Sequence, residues 1–433
     1  MENRTINKKH IVVIGGGFAG LNFLTHMFRN KYYHVTLVDK NNYNYFTPLL
    51  YQVATSFLEP SSISYPFRKL LRNKQVSFRM AVLTKVDTAA NMLYLSDGGT
   101  LHYDILVFAA GSRTNFFGNE SVRANAFSLK GIDDALYMRN ELIKTVEKAA
   151  IETDPVARQK LLTVVIAGGG PTGVEIAGML AEMKRFILGH DYPQLLESMT
   201  EIHIVDGSPY LLAPMSEKSH QAAYKALADQ GVHIKLNTHV NLYENGQVHL
   251  SDGSFIEAGT LIWSAGVIAN SFEGIAEESI GKGRRMLTDA FNRVNGYENI
   301  YAIGDISLQF DDPAYPAGHP QLAQPAIQQG KSLAKNLNRV AKGEPMKPFI
   351  YFDRGDMAII GRKVAMADLF KHKLHLGGLL GLMGWLFIHL ISLVNYNNKF
   401  KTLYNWTIAY LTRDQALRMI FRSENRENRV DNL

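Results

Sequence analysis

The sequence predicts an α/β chain holding two parallel-sheet units of the same design, and three observations predict it. A β-branched run leads into a glycine-rich turn and then a helix-like stretch twice, at Gly15-Gly16-Gly17-Phe18-Ala19-Gly20 and at Gly168-Gly169-Gly170-Pro171-Thr172-Gly173. Each turn is followed by a Ser-Asp-Gly hairpin signal, starting at Ser96 and Ser251, and then by an apolar run ending in Ala110-Gly111 or Ala265-Gly266. The register repeats too: 15 positions separate Ser96 from Gly111 and Ser251 from Gly266, and 81 and 83 separate the first glycine of each turn from its serine. A period so far above that of a solenoid marks two duplicated domains.

The elements follow in order. Ile11-Val12-Val13-Ile14 reads as a strand buried on both faces. In the turn after it, Gly15 allows the tight bend, Gly17 lets main chain approach a pyrophosphate, and Gly20 lets helix pack on strand, with Phe18 and Ala19 completing the turn. The helix N-terminus then offers free N–H groups and its dipole to phosphate. The next strand, Val35-Thr36-Leu37-Val38, ends in Asp39 and Lys40, about 20 residues past the glycines, where a carboxylate grips a ribose 2′-OH. In the second copy, Val164-Val165-Ile166 leads into Gly168, Gly170, Pro171, Thr172 and Gly173, and Ile202-His203-Ile204-Val205 ends in Asp206. That aspartate comes later than usual, as expected if residues 185–200 extend the connection. A carboxylate there repels a 2′-phosphate, so NADH is expected over NADPH. Helical patterns also fit residues 132–151, 217–230 and 324–340, and Pro-Tyr-Pro around Tyr315 marks a loop.

Composition narrows the function classes. At 433 residues with 46% hydrophobic and 20% charged content, the chain is long enough for two to three folded domains. A net charge of +6 without any Arg/Lys-rich tract argues against nucleic acid as a partner. The absence of cysteine excludes disulfides, Fe–S clusters, thiolate metal sites and redox dithiols. Residues 1–10 are polar and the apolar run after them is too short for a signal peptide, so the catalytic body is expected in the cytoplasm.

Later in the chain, Asn299-Ile300-Tyr301-Ala302-Ile303-Gly304-Asp305 is an apolar strand ending in Gly-Asp. With the first glycine turn and the Ala109-Ala110-Gly111 strand end, it resembles the two-dinucleotide flavoprotein disulphide-reductase superfamily. That resemblance implies FAD on the first unit and NADH on the second, with Gly304 and Asp305 at the FAD ribityl chain. Without cysteine, the members that reduce disulphides, thioredoxin or sulfide are excluded. Three further stretches resemble the type II NADH:quinone oxidoreductases, single-subunit dehydrogenases that do not pump protons. Residues 42–55, which include Thr47-Pro48-Leu49-Leu50-Tyr51-Gln52, are similar to that family's loop against the isoalloxazine, implying Thr47 at FAD and Thr47 and Pro48 at the quinone. Ala323-Gln324-Pro325-Ala326-Ile327-Gln328 matches the AQxAxQ signature, implying Gln324 at the flavin and Gln324 and Gln328 at the quinone. Residues 351–368 and the apolar segment after them look like the family's C-terminal domain. Asp39 and Asp206 stand where glutamate is frequent in the family, and Pro325 fills the variable signature position.

Read from the residues alone, Pro325 suits the first turn of a helix. Gln324 and Gln328 are four apart and share a helical face, where both are able to donate to a quinone carbonyl or simply to face solvent. Glu175 lies two residues past Gly173 in the same helix. It either compensates the helix dipole or, as the resemblance implies, adjoins nicotinamide and flavin and relays a proton as quinone becomes quinol. With Glu175, Gln324 and Gln328 as the catalytic candidates, Ala110 and Gly111 complete the expected FAD set and Ala265 and Gly266 the NADH set.

Residues 376–394 carry no formal charge across 19 positions but include four glycines and His389. An amphipathic stretch over residues 400–421 follows, flanked and interspersed by Lys399, Lys401, Arg413, Arg418 and Arg422. Three arrangements are open: lying in the membrane interface, spanning it, or packing as a core helix or homodimer contact. The interfacial arrangement is expected, with Trp385, Tyr404 and Trp406 at headgroup depth, because an acceptor dissolved in lipid, menaquinone or ubiquinone, must be met there. The expected domains are 1–115 and 284–345 for FAD, 116–283 for NADH, and 346–433 with the anchoring helices, peripheral on the cytoplasmic face of the cell membrane. His319 and His389 read as structural residues and no metal is expected. Two rivals remain: an NADH-dependent reductase of a soluble redox protein, which needs a charged docking face, and an NADH-sensing flavoprotein, which turns over slowly with quinone.

Overall fold

A computed structural model of the chain describes residues 8–195, 200–370, 373–412 and 417–420; Arg413, Arg422 and the end of the expected 400–421 stretch lie outside the described residues. The chain forms two compact units from interleaved segments. The first comprises Met1–Tyr45, Ser64–Arg113 and Val267–Arg354. Its five-stranded parallel sheet runs in the order Ile300–Ala302, Ile105–Phe108, Lys9–Ile14, Tyr33–Asp39, Val76–Met80. Val13 lies opposite Leu37 on one side and Val107 on the other. One sheet face is covered by helices Phe18–Met27 and Ala323–Val340 through Phe23, Leu24, Met27, Leu333 and Leu337. The other is covered by Leu83, Val86, Leu93, Leu95 and Tyr103. With helix on one face and small sheet on the other, the run Ile11 to Ile14 is apolar at every position instead of alternating. Each such fully buried aliphatic or phenyl side chain contributes about 1.5–3 kcal/mol.

The second unit comprises Phe46–Ile63, Thr114–Gly266 and Gly355–Leu433. Its four-stranded parallel sheet, Val232–Lys235, Ile202–Val205, Val164–Ala167, Thr260–Trp263, repeats the first order with one strand fewer. The duplication extends to a three-stranded antiparallel sheet in each unit, Leu83–Asp87 with Met92–Leu95 and Thr100–His102, and Val240–Glu244 with Gln247–Leu250 and Phe255–Glu257. In both, the Ser-Asp-Gly turn puts its glycine in the left-handed region, Gly98 at φ +78° and Gly253 at φ +84°. Helices Ile132–Ile151 and Glu217–Ala228 form where the periodicity places them. The late position of Asp206 also has its expected origin: helix Pro171–Met183 continues into a π-helical turn, Lys184–Leu188, and two further short turns before the next strand.

Compact-unit boundaries depart from the expected ones, for local reasons. Residues after 266 belong to the first unit, where Asn270 Nδ2 donates to Ala110 O at 2.8 Å. Residues 346–354 stay there as well, because the Phe349 N–H donates to Ala290 O at 2.7 Å and the Tyr351 N–H to Asp312 Oδ2 at 2.9 Å. By contact the C-terminal part groups with the second unit. Its antiparallel sheet, Gly355–Ile360, Val364–Leu369 and Leu374–Leu376, packs so closely on helix Pro171–Met183 that a Cβ at Gly178 would lie 2.5 Å from Gly361 N. Residues 46–63 join this second unit through Trp406 Nε1, which donates to Gln52 Oε1 at 2.9 Å, and Thr402 Oγ1, which donates to Ser62 O at 3.2 Å.

The apolar segment begins as a strand, Leu374–Leu376, and becomes a helix only at Gly378–Ser392, followed by helix Tyr396–Thr412. Among the described residues no helix is long and apolar enough to cross a membrane. Trp385 and Trp406, expected at the membrane interface, are instead buried, their rings 5.7 Å apart with Trp385 stacked on His389 at 3.9 Å. Tyr404 is exposed.

In the first unit a Cβ at Gly330 would fall 2.3 Å from Ala19 O, so the two helices over the sheet touch main chain to main chain. Gly330→Ala should cost about 1–3 kcal/mol of stability by overpacking. Denaturant unfolding followed by circular dichroism measures this, and an unchanged midpoint would show that the helices separate at no cost.

Candidate active site

Both glycine turns reproduce one device. Gly15 has φ +99° and Gly168 φ +110°, and a Cβ at either would strike the main chain at Ala109 or Ser264, 2.5 and 2.7 Å away. A Cβ at Gly20 or Gly173 would lie 1.9 Å from the carbonyl oxygen of Gly15 or Gly168, which is how the helix packs onto the strand end. Beside Gly17 and Gly170 there is open space, and neither residue, each the N-cap of its helix, caps it with a side chain. Phe18 is half-buried and Ala19 is buried against Gly304, whereas Pro171 and Thr172 are exposed at the helix start.

The two aspartates close these turns identically. Asp39 Oδ2 accepts from the Gly16 N–H at 2.7 Å and Oδ1 from the Asn41 N–H at 2.8 Å. Asp206 Oδ2 accepts from the Gly169 N–H at 2.5 Å and Oδ1 from the Ser208 N–H at 2.6 Å. Each carboxylate has about four lone-pair sites, so two remain for a ribose diol. Burial pushes Asp39 above its ordinary value, opposed by the two N–H groups and by exposed Lys40. In the second unit Gly168, Asp206, Ala265, Phe117, His239 and Trp263 are among the residues lining an open cleft. Gly266 borders it, its O accepting from the Asn115 N–H at 3.1 Å.

FAD fits the first turn by the same features. The helix N–H groups at Gly17 lack a side-chain cap and no atom occupies the place of a Cβ there. Gly111, at φ +65°, likewise faces open space, and Asn270 holds Ala110 and Gly111 by their carbonyls. Gly304, at φ +78°, turns the chain so that Asp305 Oδ2 accepts from Ser112 Oγ at 2.6 Å. Burial lowers nearby Arg285 to about 10, against the charge of Asp305.

Helix Ala323–Val340 begins with Leu322 as N-cap and Pro325 buried in its first turn. Gln324 and Gln328 are half-buried on one face, as their spacing requires. Gln324 Oε1 receives the Arg354 N–H at 3.4 Å. Gln328 is held by the main chain of Phe352 in both directions, donating to its O at 2.8 Å and accepting from its N–H at 3.1 Å. The glutamine that reaches the Gly304-Asp305 turn is the next one: buried Gln329 Oε1 accepts the Gly304 N–H at 2.7 Å. Its signal was in the sequence, since Ala326, Gln329, Leu333 and Leu337 make one helical stripe, so Gln329 lies on the core face.

Glu175 lies in the second unit, 8% exposed on helix Pro171–Met183. Burial pushes its carboxyl well above the usual carboxylate range, only partly offset by the Ile359 N–H. Thr47 and Pro48 open the short turn Thr47–Leu49 in the same unit, half-buried, leading into helix Leu50–Ala54. His389 is stacked on Trp385 with Nδ1 bonded to Trp385 O, and burial lowers it to about 4. His319 is paired with Asp312 at 3.0 Å.

Comparison with known proteins agrees with this architecture. Residues 9–330 match the family described as pyridine nucleotide-disulphide oxidoreductase. The type II NADH:quinone oxidoreductase NdhA of Mycobacterium tuberculosis is 32% identical over 95% of this chain and 89% of its own length. That of Staphylococcus aureus is 32% identical over 84% of this chain and 90% of its own. The solved structure of NDH2 from Plasmodium falciparum in complex with NADH superposes with a TM-score of 0.87 at 21% identity, covering 96% of this chain and 100% of that one, a likeness of fold. Two uncapped glycine cradles in a chain without cysteine accord with these relatives, and the chain belongs to the type II NADH:quinone oxidoreductases within the pyridine nucleotide-disulphide oxidoreductase family.

Proposed function

We propose that this chain takes a hydride from NADH onto FAD and delivers the electron pair to a quinone at a membrane surface, so that NADH, a proton and quinone give NAD⁺ and quinol without proton pumping. The observation that carries the reading is the duplicated cradle itself: two anion-ready helix N-termini, each with an aspartate on its turn, in one cysteine-free chain. FAD, when bound, supplies the two-electron acceptor; the chain supplies orientation and electrostatics. Gly15, Gly17, Phe18, Ala19, Gly20, Asp39, Ala110, Gly111, Gly304 and Asp305 would hold it. Gly168, Gly170, Pro171, Thr172, Gly173, Asp206, Ala265 and Gly266 hold the nicotinamide dinucleotide. Glu175, whose carboxyl burial pushes toward the protonated form, is the candidate proton donor as quinone becomes quinol. Thr47, Pro48, Gln324 and Gln328 are the candidates for quinone contact, and each glutamine amide has two N–H donors, of which Gln328 spends one on Phe352.

Membrane contact is supported by what the two C-terminal helices leave uncovered. Leu379, Leu380, Met383, Phe387, Ile388 and Ile391 are exposed on the first, and Phe400, Leu403, Tyr404 and Leu411 on the second, beside half-buried Lys399 and exposed Lys401. Apolar side chains flanked by lysine suit an anionic lipid interface on the cytoplasmic face.

The central test is NADH turnover with a soluble quinone analogue, compared with single-turnover flavin reduction; fast flavin reduction with negligible quinone turnover would defeat the reading. Because the protonated form of Glu175 is the donor, quinol formation should fall as pH rises through its raised pKa, and Glu175→Gln should flatten that limb and slow quinol formation at least about tenfold. Asp206→Ser keeps a hydrogen-bond acceptor for the turn but removes the charge, so the ratio of kcat/KM for NADPH over NADH should rise about tenfold or more; an unaltered ratio would remove Asp206 from ribose recognition. The double substitution Leu380→Glu and Phe387→Glu, both at exposed positions, should abolish sedimentation with anionic vesicles while far-UV dichroism is preserved. Undiminished sedimentation would assign membrane contact to another surface.

A further inference from the structure

In the second unit the parallel register sets a row of side chains across one face of the sheet: Leu261, Val165, His203 and His233. The first two are fully buried, but on the outer strands, Ile202–Val205 and Val232–Lys235, the row continues as two imidazoles. Their rings stack with centroids 4.7 Å apart, inclined by 21°. Glu201 comes two residues before His203 in extended chain, its O accepting the Val164 N–H at 2.9 Å, so strand periodicity puts its side chain on the same face. There Glu201 Oε2 lies 3.0 Å from His203 Nε2. One ligand atom from each of Glu201, His203 and His233 lies within 4.8 Å of the other two. A surface Glu–His pair is ordinary and needs no third member. The second imidazole, laid against that pair from the next strand, completes a ligand set. The sequence alone gives no sign of it, because the two histidines are thirty residues apart and only the register joins them.

We propose that Glu201, His203 and His233 bind a divalent transition-metal ion of the zinc class, which ties the two outer strands of this sheet together. Two imidazole nitrogens and one carboxylate oxygen suit such an ion, and three protein ligands leave its fourth position to water. With metal–ligand bonds of about 2.0–2.2 Å, tetrahedral ligand atoms stand about 3.4 Å apart. Glu201 and His203 are already close to that spacing. The remaining contraction falls to exposed His233, whose ring tilts out of the stack to share the ion. Room for the water ligand lies beside Gly231, where no atom comes within 4 Å of the place of a Cβ. The cation on the same face, Lys235, is neutralised by Asp252 Oδ2 at 2.7 Å and also donates to Ser254 Oγ at 2.7 Å. Glu201 and His203 stand at the start of their strand, whereas Asp206, which closes the glycine turn, follows its end. The ion therefore braces the sheet away from the dinucleotide cradle and takes no part in electron transfer.

The test uses the full-length, flavin-loaded protein, stripped with EDTA and dialysed against micromolar zinc. It should retain one zinc ion per chain and melt at a higher temperature than the stripped protein. His233→Ala, at an exposed position, should keep its flavin and its NADH turnover yet bind zinc at least about a hundredfold more weakly, and zinc should no longer raise its melting midpoint. Magnesium, which takes oxygen ligands, should leave the midpoint of the unsubstituted protein unchanged. Failure of the unsubstituted protein to retain zinc would overturn the proposal. So would equal retention by His233→Ala, which would place the ion elsewhere, or a magnesium effect as large as that of zinc.

Discussion

The structure depends on one constraint: the main chain must come close to a doubly charged pyrophosphate at the start of a helix, with no side chain in the way. Every residue at the two turns answers to it. The first glycine turns the chain through a region barred to a Cβ, the second leaves the approach open, and the third lets the helix sit on the strand end. Asp39 and Asp206 then fix each turn by accepting one turn N–H and one from the residue two positions on. The same carboxylate thus holds the loop in shape and keeps lone pairs free beside it, where a ribose hydroxyl would be met.

Glu175 shows which of two opposing effects wins. Near a helix N-terminus the dipole favours an ionised carboxylate by about 0.3–1 kcal/mol, or about 2 in favourable geometry. Burial works the other way and shifts carboxyl groups by up to about 3–5 pKa units, each worth about 1.4 kcal/mol. In this helix burial dominates, with one main-chain N–H against it. Burial thus favours the protonated form, the one that has a proton to give, whereas a carboxylate on an exposed first turn would only compensate charge.

The C-terminal helices serve two surfaces at once. Inward, Asn398, Thr402, Trp406 and Ala409 of the second helix are buried, and Arg362 binds the Ala409 carbonyl while pairing with Glu182. Outward, the same helix is apolar and uncovered. An anchor that was merely appended would leave no tertiary bonds to residues 46–63; these helices have several, so their removal would strip the core as well as the surface.

Much of this was legible in the sequence because it is local. Glycine spacing, β-branched runs and helical periodicity act over fewer than about 20 residues, and the equal offsets of the two copies revealed the duplication. The helix over 132–151, the late Asp206 and the paired face of Gln324 and Gln328 all follow from such short-range pattern. Tertiary structure alone decided that Gln328 is occupied by Phe352 and Gln329 by Gly304, that Trp385 and Trp406 are buried rather than interfacial, and that residues 46–63 and 355–433 join the second unit. The reason is physical: an aromatic or amide side chain carries no local sign of whether its partner is lipid, water or a group 354 residues away, as Gln52 is for Trp406. Only the packed chain determines that partner.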